Sequence, residues 1–166
     1  REVAANKERA GLYLGDAIFI RMVLSFFMLG SIALIINVMS YPEDTTTVVY
    51  IAAGALFFES LSGAFTSIVE GYQKMEYIAF IHSIISLIQA SSAVFILYIG
   101  YKLIPLAFVY LGGSILAFLL SYLITTRKIV LPKFIIDVER LKSTIKNAFP
   151  FALISLFVLA LFKIDI

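Results

Sequence analysis

Four uninterrupted apolar runs, Ala17 to Met39, Val48 to Val69, Tyr77 to Tyr101 and Leu103 to Ile124, constrain this chain more than any other feature. A helix rises 1.5 Å per residue, so about 20 residues cross a hydrocarbon core of about 30 Å. Each run meets that length, and a fifth begins near Ala148 and reaches Ile166. The runs are continuous and lack the alternation of barrel strands, so they predict helices. Composition points the same way. Hydrophobic residues make up 61% of the chain and charged residues 14%, where soluble domains carry roughly a quarter charged. The expected fold class is all-α, a polytopic transmembrane helical bundle.

The same composition excludes several functions. There is no cysteine, which removes disulfides, thiolate catalysis and cysteine metal sites. The net charge of +2 is too small to suggest a nucleic-acid partner. No acidic pair is spaced for a metal, no glycine loop cradles phosphate, and no nucleophile has a plausible base, so neither an enzyme nor a cofactor is expected. The chain opens at Arg1 without a methionine and stops inside an apolar segment, which predicts a piece cut from a longer protein.

Between the fourth and fifth runs, TTRKIVLPKFIIDVERLKSTIKN places Ile136, Leu141 and Ile145 near helical spacing among basic residues. That pattern predicts an interfacial amphipathic linker over 125–147, with Pro150 opening the fifth helix. Lysine and arginine in short loops set orientation. Arg1, Lys7, Arg9, Lys74, Arg127, Lys128, Lys133, Arg140, Lys142 and Lys146 fall on one side against Lys102 alone on the other. The expectation is a multi-pass protein of the cytoplasmic membrane with residues 1–16, 70–76 and 125–147 in the cytoplasm.

Polar groups inside apolar helices are costly and therefore informative. An acid at mid-membrane costs roughly 2.5–3.5 kcal/mol on insertion scales, and Glu59 stands at the centre of the second run. Helical spacing puts Ala52, Ala55, Glu59, Ser62, Gly63, Thr66 and Glu70 on one face. That small, polar face predicts a neighbour or a water-filled cavity, with Phe57, Phe58, Leu61, Phe65 and Ile68 turned toward lipid. Glu59 is read as a cavity residue or as an acid paired to a neighbouring helix. In the third run His82, Ser86 and Gln89 share a face; His82 is a proton relay or a satisfied structural group, and Gln89 hydrogen-bonds across helices. Gly113, Ala117 and Ser121 form a small-residue stripe for close packing in the fourth, and Phe118 is expected to tolerate leucine. Arg21, one turn inside the first run, either snorkels to the cytoplasm or faces an anionic substrate.

The segments REVAANKERAGLYLGDA, EGYQKMEYIA and NAFPFALISLFVLALFKIDI resemble the polysaccharide (O-antigen type) flippases of the multidrug/oligosaccharidyl-lipid/polysaccharide exporter superfamily. The resemblance runs the length of the chain. It implies a two-lobe fold of six plus six or more helices, of which 1–124 would be helices three to six, 125–147 the inter-lobe linker and 148–166 the start of helix seven. It further implies a flippase that moves lipid-linked oligosaccharide or polysaccharide units by alternating access. Coupling to H+ or Na+ is left open, as is partnership with polysaccharide-assembly proteins; membrane lipids surround it. Cavity candidates under this reading are Arg21, Glu59, Ser62, Thr66, Gln89, Lys163 and Asp165, and coupling candidates are Glu59, His82 and Asp165. Two alternatives stand beside it: a cation-coupled multidrug exporter of the same superfamily, and a non-transporting four-helix scaffold or accessory subunit.

Overall fold

The computed structural model describes residues 10–39, 41–101 and 103–133, with scattered positions after Lys133. The chain divides into two compact units, Arg1–Lys133 and Phe134–Ile166. In the second, the described positions between Glu139 and Val158 are all helical; most of the expected linker and fifth helix lie outside the described residues.

The first unit consists of α1 (Ala10–Met39), α2 (Glu43–Gly71), α3 (Met75–Tyr98) and α4 (Leu103–Lys128). All four are long and apolar enough to cross a membrane. Three of them overrun the apolar runs, α1 through a segment that is itself buried and α2 and α4 through polar residues. α1 begins seven residues before Ala17, and α4 continues past Ile124 to Arg127 and Lys128, whose charges suit the negative end of the helix dipole. Glu43 and Asp44 occupy the opposite kind of position, the first turn of α2. α3 stops short of Tyr101. Gly100 takes φ +88 there, the Tyr101 amide reaches back to the Ile96 carbonyl and the Gly100 amide to Leu97, a Schellman ending. α2 ends in the same way around Gln73, at φ 58.

The helices run up, down, up and down. Arg21 and Phe26 of α1 meet residues of α2 in reverse order, whereas Glu59 and Phe65 of α2 meet Ser114 and Tyr122 of α4 in the same order. α2 and α4 are thus a parallel, closely packed pair, with α1 against α2 and α3 against α4. Where α1 begins, the chain after α4 folds back, and the Lys133 amide donates to the Gly11 carbonyl at 2.8 Å. Leu14, Ile18, Leu61, Ala64, Phe65 and Ile68 form the core at this end, with Phe118, Ile129 and Val130 packed against it.

Within a bilayer, lipid is as apolar as leucine, so association rests on van der Waals fit and interhelical hydrogen bonds. A chain of rings supplies much of that fit. Phe26 meets Phe57 at 5.7 Å between centroids, Phe58 meets Phe118 at 5.9 Å, and Phe65 meets Phe118 at 5.9 Å and Tyr122 at 5.6 Å. Such pairs are worth about 0.5–1.5 kcal/mol each beyond the area they bury. The aromatic side of α2 therefore does not face lipid. Phe65 is 3% exposed, and Leu61 and Ile68 are buried too. α2 is central, and both of its sides are covered. Phe118, which touches Phe58, Phe65 and Tyr122, is likewise a packing residue and not a position indifferent to leucine.

Candidate functional site

The polar face of α2 opens into a cleft of about 320 Å³ shared with α3 and α4. Glu59, Ser62, Gly63 and Thr66 line it from α2, His82, Ile85, Ser86 and Gln89 from α3, and Gly113, Ser114 and Ala117 from α4. Helical periodicity explains the convergence: the three helices each contribute residues three, four or seven apart, and hence one face.

Glu59 lies near the middle of α2 and keeps its carboxylate accessible to the cleft. Ser114 Oγ lies 3.3 Å from Glu59 Oε1 and 3.1 Å from the Tyr110 carbonyl oxygen, so its one proton serves a single acceptor at a time. The Tyr110 phenol is within interaction range of the same carboxylate. Two donors thus approach an acid that the surrounding apolar helix cannot solvate, which lowers the cost of holding it there. Among the described residues the lining contains this carboxylate, the His82 imidazole and neutral hydroxyl and amide groups, and no lysine or arginine.

Two interhelical contacts, the first of them buried, brace the walls. Ser62 and Ser121 hydroxyls are 2.9 Å apart, joining α2 to α4. Gln89 Nε2 donates to the Tyr110 carbonyl at 3.4 Å, and its amide fills the space that a Cβ at Gly113 would need. The small-residue stripe on α4 therefore serves close packing, as the spacing predicts.

Arg21 reaches α2 from α1 along the strip of Ser60, Gly63 and Ser67 that borders the cleft face. Its Nη1 donates to the Ser60 carbonyl at 2.8 Å and its Nη2 to Ser67 Oγ at 3.4 Å, while the guanidinium lies directly on Gly63. It does not snorkel to the membrane surface. It is also not among the cleft-lining residues, although Gly63, its seat, is. Glu70 is the carboxylate that acts on it electrostatically.

Of the site residues named from sequence, Glu59, Ser62, Thr66, His82 and Gln89 are brought together in the cleft, Arg21 is seated on Gly63 at its border, and Lys163 and Asp165 lie outside the described residues. Sequence reasoning missed Ser114 and Tyr110. The signal for Ser114 was present, because it lies seven residues before Ser121 and so on the face of the stripe.

Neither a curated protein nor a solved structure matches the chain. A family model described as polysaccharide biosynthesis protein matches residues 1–166, the whole sequence. With four helices able to span a membrane and a hydroxyl-rich cleft among them, the chain belongs to the polysaccharide biosynthesis protein family.

Proposed function

We propose that the protein is a flippase, moving lipid-linked oligosaccharide or polysaccharide units across the cytoplasmic membrane by alternating access. In this reading α1–α4 are part of one lobe of a two-lobe transporter, residues 125–147 link the lobes, and the cleft contributes to the cavity between them. The observation that carries the reading is the cleft itself: an acid, an imidazole, an amide and several hydroxyls gathered on one face of helices that are otherwise apolar.

The chemistry of that lining supports a division of labour. Hydroxyl, amide and carboxylate groups hydrogen-bond well to sugar hydroxyls, and since no lysine or arginine is among the described lining residues, phosphate contacts fall to groups elsewhere in the full transporter. An acid at mid-membrane is expensive unless its charge is used, because a glutamine would occupy the same volume at lower cost. Glu59 then takes up a proton or a monovalent cation in one conformation and releases it in the other. Each elementary charge moved across 100 mV supplies about 2.3 kcal/mol to the cycle.

The test is Glu59→Gln in the full-length protein, expressed in a strain lacking its own flippase. The expected result is normal membrane expression with severe loss of glycan export, measured as carrier-linked oligosaccharide accumulating on the cytoplasmic leaflet. Full complementation by the variant would make the charge dispensable and reduce Glu59 to a structural role.

A further inference from the structure

At the end of the bundle where α3 begins and α4 ends, two lysines converge on one aromatic ring. The Lys128 ammonium, from the last turn of α4, lies 4.9 Å from the Tyr77 ring centroid, and the Lys74 ammonium, from the turn before α3, lies 5.9 Å from it. Both are within the range at which a ring's negative face attracts a cation. Arg127 adds a third positive charge beside Lys128. Among the described residues, none of these three cations forms an ion pair with a carboxylate. Like charges brought to one ring repel. Glu70 and Glu76 stand at the same end, but among the described residues neither is paired with these cations. An anion between the cations would offset the repulsion.

Depth identifies the anion. Tyr77 opens the apolar stretch of α3, and Lys128 closes α4 just beyond its own, so the cluster sits at the level where hydrocarbon gives way to headgroups. Phe80, one turn further along α3, is 58% exposed on the membrane side of the cluster and offers a surface for an acyl chain. We propose that Lys74, Tyr77 and Lys128 form a binding site for the phosphate of an anionic phospholipid headgroup. The two ammonium groups contact the phosphate, the ring holds them in place, and Phe80 packs on the chain beneath. The site is separate from the cleft and independent of what the cleft carries.

The experiment is native mass spectrometry of the full-length protein released from nanodiscs of phosphatidylcholine with added phosphatidylglycerol. A basic side chain near a membrane surface is worth about a fivefold change in anionic-lipid binding. Lys74→Gln and Lys128→Gln should each lower retained phosphatidylglycerol by about that factor, with phosphatidylcholine unchanged, and Tyr77→Leu should lower it as well by letting the lysines part. Lys102→Gln, the same change of charge at the lone basic residue on the opposite side and outside the interfacial linker, should leave retention as it is. Equal loss in Lys102→Gln would reveal unspecific attraction and overturn the site, as would full retention in both lysine variants. Displacement of the lipid by millimolar inorganic phosphate would reassign the cluster to a free anion. If Lys74→Gln fails to fold, Lys128→Gln alone, at an exposed position, decides the matter.

Discussion

Arg21 and Gly63 interlock: the guanidinium fills the space that any Cβ at position 63 would occupy, and from there it reaches the Ser60 carbonyl. A charged side chain inside an apolar helix is thus tied to backbone one helix away, and the missing side chain of the glycine makes the tie possible.

Gly63→Ala should therefore be destabilising even though alanine is the better helix former. Displacing Arg21 loses a hydrogen bond to a charged group, about 1.5–3 kcal/mol, against a propensity gain of about 1 kcal/mol. The expected net loss is about 1 kcal/mol, seen as a lower thermal midpoint in detergent. With Arg21→Leu already in place the sign should reverse, and Gly63→Ala should stabilise. The same sign in both backgrounds would show that the two residues are not coupled.

The Ser62–Ser121 pair makes a second prediction from asymmetry. Ser62 is 8% exposed and Ser121 fully buried, so removing one hydroxyl strands the other. Ser62→Ala or Ser121→Ala should each cost roughly 1–3 kcal/mol, while the double variant should cost less than the two single variants combined. Strict additivity in chemical or thermal unfolding would mean that the bond contributes nothing.

Neighbouring glycines on α4 provide a matched comparison. Gly113 is pressed against the Gln89 amide, whereas a Cβ at Gly112 meets nothing within 4 Å. Gly113→Leu should lower yield and thermal stability, whereas Gly112→Ala should keep the yield and raise thermal stability by up to about 1 kcal/mol through helix propensity. Similar losses in both would remove close packing of α3 on α4 as the reason for the stripe.

The orientation read from basic residues predicts that Thr46 and Lys142 lie on opposite sides of the membrane. The chain has no cysteine, so Thr46→Cys and Lys142→Cys give single reporters. In intact cells a membrane-impermeant maleimide should label only the Thr46→Cys protein. Labelling of Lys142→Cys before lysis would invert the topology.

The type of the spanning elements, and the four that fall among the described residues, were legible in the sequence, because in a bilayer every backbone group must be satisfied within its own helix and apolar length alone marks the span. Helix ends were less legible. Ala10 to Asp16 are helical because Ala10, Leu14 and Asp16 are buried against the rest of the first unit, and Thr125 to Lys128 because polar residues continue a helix that hydropathy no longer marks. Periodicity correctly placed Glu59, Ser62 and Thr66 on one face, and that face is the cleft. It could not say how many other faces of α2 were covered, so Phe65 was assigned to lipid when α4 in fact encloses it. The reach of Arg21 was invisible for a related reason. Its partner is a carbonyl on another helix, and a carbonyl leaves no letter in the sequence.

The walls of the cleft are braced unequally. α1, α2 and α4 are joined by the ring chain, by the Ser62–Ser121 bond, by Arg21 and by the amide of Lys133 on Gly11. α3 is packed on α4, where Gln89 and the Tyr77–Lys128 contact lie, and it barely meets α2. A cleft whose third wall is held from one side takes its width from how α3 lies on α4, so a substitution in the seam around Gln89 should alter that width while leaving Glu59 and the hydroxyls of α2 in place.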